Sequence, residues 1–195
     1  MIGEHTGAAV PVQRGPRLLG GLLGYRGPVG DTHQLLDPSA LTWRVKEQAD
    51  GVLVELRGDL SESAELDRLR RRLTGHVVLH LGEIRRINSG GVREWVNFIG
   101  PLSQKTPVTL THCSPAVVAQ LNMIFNFRGL ARVRSFLAPY ACTRCDAEEE
   151  RLVDVETHFA DRRSRRMPPA TCSACGGAME FDEVAERYLS FLQDV

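Results

Sequence analysis

The sequence carries no excess of charge of either sign: Lys plus Arg number 24 and Asp plus Glu number 24 among 195 residues. A chain built to hold a long nucleic acid ordinarily has surplus positive charge, because its affinity comes from neutralising phosphates. Any nucleic-acid contact therefore rests on a local patch. No apolar run approaches the roughly 20 residues needed to span a bilayer. The stretch at residues 18–23 (LLGGLL) is too short and too rich in glycine. A basic segment followed by an apolar core and a small-residue cleavage site is also missing at the N-terminus. These absences predict a cytoplasmic protein with no membrane partner. Nucleophile elbows, phosphate-binding loops, and carboxylate or His clusters at catalytic spacing are absent too. No enzymatic activity is expected. The five cysteines do not read as a disulfide framework, since four of them form two CxxC pairs. In a reducing compartment that pattern points to metal or redox chemistry.

What is present is ordinary for a globular protein, with 43% apolar and 25% charged residues. Residues 1–38 hold many of the glycines together with Pro11, Pro16, Pro28 and Pro38, and show no sustained apolar period, which reads as a flexible tail. From Leu41 the texture changes. Residues 42–48 (TWRVKEQ) and 52–57 (VLVELR) alternate apolar and polar side chains around Asp50-Gly51, a hairpin signal. Gly58-Asp59 closes the second strand. Residues 61–73 have helical spacing at 64, 66, 69 and 73, with Ser61 or Ser63 as the cap. Residues 76–81 (HVVLHL) read as a strand covered on both faces. A loop to Asn88 follows, then a helix over 89–103 and a strand at 107–111. Ser114-Pro115 is a good helix start, and 116–125 continues it. Residues 132–136 form the last strand. The order β-β-α-β-α-β-α-β predicts an α/β fold: a mixed, mostly parallel sheet with helices packed on it and an antiparallel edge.

The C-terminal part holds Cys142, Cys145, Cys172 and Cys175. A CxxC pair folds into a knuckle that aims both sulfurs at one point, and two knuckles supply tetrahedral sulfur coordination. One structural zinc in a small ribbon is the expectation. A thioredoxin-like redox pair needs a single CxxC opening a helix beside a strand, and four thiolates leave no open coordination position for catalysis. Metal binding should supply most of the ribbon's stability. Residues 152–157 read as a strand between the knuckles, His158 as a surface residue, and Cys113 as a buried inert thiol. Arg162, Arg163, Arg165 and Arg166 form a basic loop that offers a nucleic-acid contact or is simply solvated. Residues 180–194 have helical spacing at Phe181, Val184, Tyr188, Leu189 and Leu192. The predicted organisation is a tail at 1–38, a domain at 39–138, and a ribbon with a C-terminal helix at 139–195.

Residues 79–98 (LHLGEIRRINSGGVREWVNF) run from an apolar strand through a Ser-Gly-Gly turn into a helix. With the element order and the segment 54–60 (VELRGDL), this resembles the STAS domain of anti-sigma factor antagonists and sulfate-transporter tails, over about residues 41–137. The resemblance implies a non-enzymatic bacterial regulator whose partner is an anti-sigma factor or kinase-like protein. It implies phosphorylation at Ser89 and partner contact through Asn88, Gly90, Gly91 and Arg93. Asn88 stands where the family has Asp, and Gly90 where it has a second Ser. A helix N-terminus accommodates an added dianion, and Arg85, Arg86 and Arg93 flank the position. Two readings of Ser89 stay open, a phosphorylated switch and a helix cap supplied by Ser89 or Asn88. Two other functions remain as rivals: a nucleic-acid-binding ribbon, and a nucleotide or small-anion sensor, since some STAS-like domains bind such ligands.

Overall fold

The computed structural model describes residues 39–160 and 166–192. The tail expected at 1–38 lies outside them.

The alternating segments form the expected hairpin. Strand β1 (Thr42–Gln48) pairs antiparallel with β2 (Gly51–Leu60), in a register that sets Val45 against Val54 and Trp43 against Leu56. Strands β3 (His76–Ile87), β4 (Val108–Thr111) and β5 (Arg132–Val133) follow parallel to β2, giving a five-stranded sheet in order β1-β2-β3-β4-β5. The connections are helices α1 (Leu66–Arg70), α2 (Ser89–Lys105) and α3 (Pro115–Met123). Val54, Leu79 and Leu110 line one face of the sheet and are fully buried in a core that also holds Leu69, Trp95, Phe98 and Ile99. Placing such side chains out of water contributes about 1.5–3 kcal/mol each.

The other face departs from expectation. Leu53, Val78 and Thr109 lie in one row across β2, β3 and β4, with Glu55, His80 and Thr111 in the next, and all are only partly buried. The strand at 76–81 is therefore covered on one face. Its polar His76 and His80 share that open side with Val78, a period of two that the apolar run conceals.

Strand β3 also runs further than Leu81. Two register irregularities let Arg57 pair with Glu83, Gly58 with Ile84 and Leu60 with Ile87. The expected loop before Asn88 is strand, and Gly58-Asp59 lies inside β2 rather than closing it. Helix α1 is shorter than the predicted 61–73. The Ser61 and Ser63 hydroxyls bond to each other at 2.9 Å, and Glu65, with a left-handed φ of 44°, begins the helix without a side-chain cap. Helix α3 starts as predicted, with Ser114 as cap and Pro115 in the first turn.

Strand β6 (Ser135–Cys142) leaves the first sheet and founds a second, ordered β7-β6-β9-β8, with β7 (Glu148–Asp154), β8 (Ala170–Thr171) and β9 (Ala178–Phe181). The boundary expected at 138/139 falls inside this strand. At its start, Cys113 N–H donates to the Ser135 carbonyl at 3.0 Å and Leu137 N–H to the Cys113 carbonyl at 2.9 Å. Phe136 then packs against Phe159, Tyr188 and Phe191, with ring centroids 6.3, 6.0 and 5.6 Å away. The two sheets thus share one core.

The strand expected at 152–157 is shifted to β7. Asp154 ends it by accepting from Thr157 N–H at 3.0 Å, which starts the single turn α4 (Val155–His158). The helix expected at 180–194 is reduced to α5 (Ala185–Tyr188) and a 3-10 turn at Ser190–Leu192, because Phe181 is drawn into β9 opposite Tyr140.

Candidate metal centre and the start of helix α2

The two CxxC turns are built alike. Each joins antiparallel neighbours in the second sheet: Cys142 ends β6 ahead of β7, and Cys172 follows β8 ahead of β9. In the first, Cys142 N–H donates to the Ala147 carbonyl at 2.9 Å; in the second, Cys172 N–H donates to the Gly177 carbonyl at 2.9 Å. Asp146 and Gly176, each one residue past the second cysteine, take matching left-handed φ values of 56° and 69°. Glycine adopts that conformation readily.

The pairing β6–β9 sets the knuckles face to face, and all four sulfurs lie within 4.8 Å of one another. Cys142 Sγ is 3.5 Å from Cys175 Sγ, and Cys145 Sγ is 3.7 Å from Cys172 Sγ. A tetrahedron with metal–sulfur bonds of about 2.3 Å has edges of about 3.8 Å, so the donor set fits one metal ion. Cys142 and Cys172 are buried, Cys175 is half-buried and Cys145 is exposed.

The surroundings favour thiolate at Cys175 alone: burial raises the Cys172 thiol, and the Cys145 thiol, although lowered by the Ala147 backbone N–H, is raised to about 12 by hydrogen bonds among the cysteines. The Gly177 backbone N–H, followed by the Cys145 thiol, draws the Cys175 thiol down to about 6. Arg144 supplies a backbone N–H to Cys142 Sγ at 3.4 Å, and its guanidinium is held charged chiefly by a hydrogen bond to Cys175. A Cβ on Gly177 would sit 3.3 Å from Cys175 Sγ and 3.4 Å from Cys142 Sγ, so glycine keeps the space beside the sulfurs open. Glu149 on β7 accepts from both the N–H and the hydroxyl of Ser173 at 2.8 Å, which ties the second knuckle to the first hairpin.

His158 is exposed, with Nδ1 at 3.0 Å from the Asp154 carbonyl, and is not part of the donor set. Cys113 lies outside the set as well. It is fully buried, and that burial pushes its thiol up to about 12.

At the start of α2, Asn88 is the cap. Its side-chain oxygen accepts from Gly91 N–H at 2.7 Å, and its amide donates to Glu62 Oε2 at 3.0 Å. Glu62 is held below the usual carboxylate range by its own backbone N–H and then by Asn88. Ser89 is exposed, with no part in the cap.

Of the residues expected to meet a partner, Asn88 and Arg93 are exposed, Gly90 is half-buried and Gly91 is buried. A Cβ on Gly91 would collide with the Leu60 carbonyl, so this glycine seats the helix on the end of β2 rather than facing outward. Arg86 is bound to Asp59 at 2.6 Å, Arg85 is 3.9 Å from the same carboxylate, and Arg93 is 3.7 Å from Glu94. Two of the three flanking arginines therefore turn toward Asp59. A crevice of about 620 Å³, lined by Asp59, Arg86, Asn88, Ala116, Ala119 and Gln120, runs between the β3 end and α3.

Glu62, Arg144 and Glu149 escaped the sequence reading. Each acts on a residue brought near by folding, and no spacing rule joins Glu62 to Asn88. Of the basic loop, Arg166 is exposed, whereas Arg162, Arg163 and Arg165 lie outside the described residues. No helix among the described residues is long and apolar enough to cross a membrane.

No protein-family model matches the chain, and a search of curated proteins returned no match. Fold and site together define a mixed α/β protein with a four-cysteine cluster able to hold a metal ion.

Proposed function

We propose that this chain is a non-enzymatic regulatory protein of the STAS type, which docks a signalling protein on the start of α2 and is switched by phosphorylation of Ser89. In this reading the partner is an anti-sigma factor or kinase-like protein, and one structural zinc holds the C-terminal ribbon.

The observation that carries the reading is the division of labour between Asn88 and Ser89. Asn88 supplies the cap, so the neighbouring hydroxyl is exposed and free of a structural duty. A phosphoryl group there would gain from the positive end of the 17-residue helix. It would also add about 1.5–2 negative charges on the residue next to Asn88, whose side chain already holds the Glu62 carboxylate. Repulsion would displace Glu62 from Asn88 and change both the charge and the shape of the docking surface. The crevice beside Asn88 is a concave feature for a partner side chain.

Zinc is the metal the donor chemistry favours, because four thiolates in a closed tetrahedron suit a soft, geometrically undemanding ion.

The test is affinity capture from the source organism's lysate with the wild-type chain and Ser89→Glu as parallel baits. A kinase-like or sigma-pathway protein held by wild type and lost with Glu supports the switch. Equal capture by both baits, or recovery mainly of nucleic-acid-processing proteins, sinks it.

A further inference from the structure

Two histidines meet where the first sheet passes the chain to the second. His80 on β3 and His112, the residue after β4, stack with ring centroids 4.1 Å apart and planes inclined by 23°. Both are half-buried. Gly82 leaves room for them: a Cβ there would lie 3.0 Å from His80 Cε1 and 3.4 Å from His112 Cβ.

His112 takes a left-handed φ of 52°, which a residue other than glycine holds only where its surroundings fix it. The fixing contacts belong to the link between the sheets. His112 N–H donates to Ser135 Oγ at 2.9 Å. The next residue, Cys113, donates its N–H to the Ser135 carbonyl and accepts from Leu137 N–H, both at the start of β6. A displaced His112 therefore disturbs the pairing that ties β6 to the end of β4.

The stack suits neutral rings. His80 Nδ1 accepts from Gly82 N–H at 3.4 Å, a bond that is lost once Nδ1 takes a proton. His112 Nδ1 is enclosed and meets no hydrogen-bond partner among the described residues, so a proton there is a buried donor without an acceptor. Two imidazolium rings face to face also repel. The groups around the pair do not offset this. Glu55 on β2 is in register with His80, but it is bound to Lys46 at 2.5 Å and lies opposite Arg44 on β1. Thr111 on β4 and Ser135 on β6 carry no charge, and α3 holds no charged residue. Beyond Gly82, Glu83 is bound to Arg57 at 2.6 Å, and the pocket they line adds one further charge of each sign, Arg85 and Glu150 from β7. Burial, and then the charge of His80, hold His112 below the usual histidine range.

We propose that the His80–His112 stack is a proton-operated joint: protonation parts the rings and loosens the pairing of Cys113 with β6, so that acid weakens the link between the two sheets. The stability that the stack lends is fully present above about pH 6.5, the ordinary histidine value, and is lost as pH falls through the lowered value of the folded protein.

The experiment is hydrogen–deuterium exchange of the full chain, read by mass spectrometry over residues 108–118 and 132–142. It is run at about pH 7.5 and about pH 5.5, either side of the histidine range, and corrected for the intrinsic pH dependence of exchange. His80→Gln and His112→Asn run in parallel. Neither new side chain titrates, and Asn tolerates a left-handed φ. Wild type should lose protection in both segments at acid pH, by up to roughly tenfold per pH unit titrated. Each variant, compared with itself at the higher pH, should hold its protection. Both variants keep all four clustered cysteines, so a loss caused by release of metal would persist in them. Wild-type protection that is equal at the two pH values overturns the proposal. An acid loss that persists undiminished in either variant overturns it as well.

Discussion

Asn122 Oδ1 accepts a hydrogen bond from the Phe191 backbone N–H at 2.8 Å, joining helix α3 to the end of the ribbon segment. The same side chain reaches Ser190 and Tyr188, and the Tyr188 hydroxyl in turn donates to the Leu137 carbonyl on β6 at 2.7 Å. The segment after β9 therefore works as a latch between the two sheets.

Removing the latch should be costly. Asn122→Ala deletes three hydrogen bonds and leaves the Phe191 N–H without its acceptor, so a loss of about 2–3 kcal/mol is expected. Urea unfolding of the metal-loaded protein measures it. A loss of a few tenths of a kcal/mol would show that the contacts are dispensable.

Gly91 and Gly90 should behave differently although they are neighbours. A methyl group on Gly91 meets the Leu60 carbonyl and the Ser61 backbone, which cannot move without breaking the seat of α2. Gly91→Ala should cost about 3 kcal/mol or more. Gly90→Ala meets Glu62 Oε2 at 2.7 Å, Glu62 Cβ at 2.9 Å and Asn88 Oδ1 at 3.3 Å; the carboxylate can swing away but the Cβ yields only with a small shift of its backbone, so about 1–2 kcal/mol, less than for Gly91, is expected. Thermal melts of the two variants compare them directly.

The cap assigns opposite outcomes to Asn88 and Ser89. Asn88→Ala should destabilise by about 1 kcal/mol through the lost bond to Gly91 N–H. Ser89→Ala should stay within about 0.5 kcal/mol of wild type. Equal costs in chemical denaturation would return Ser89 to a structural role.

Cys113 predicts a loss of stability on the alkaline side. Its thiol is raised from 9.0 to about 12 by burial. Between those values the unfolded chain has given up a proton that the folded chain retains. The stability is fully present below about pH 9 and is lost as pH rises toward 12. Cys113→Ala should flatten that part of the stability profile, measured by denaturant titration at stepped pH.

Local signals were legible in the sequence. The hairpin around Asp50-Gly51, the Ser114-Pro115 helix start and the grouping of four cysteines follow from spacing over a few residues. The misreadings arose where distant pairing overrode a local stop signal. The apolar run that predicts a strand stops at Leu81, but pairing of Arg57 with Glu83 and Leu60 with Ile87 carries β3 onward to Ile87. Phe181 fitted a helical period, but its place opposite Tyr140 makes it strand. Strand β6 crosses the expected domain boundary because Cys113 holds its first residues while β7 and β9 hold the rest. Glu62 beside Asn88 was invisible for the same reason: the contact exists only once β2 and β3 lie side by side.

The claim most directly open to measurement is that Cys142, Cys145, Cys172 and Cys175 together hold one zinc ion. Elemental mass spectrometry of the purified full-length chain, with Cys142→Ser in parallel, tests it. The account predicts one zinc per wild-type chain, and loss of that metal with unfolding of the ribbon in the variant. A wild-type chain free of metal, or one holding iron with a visible absorption band, would contradict it.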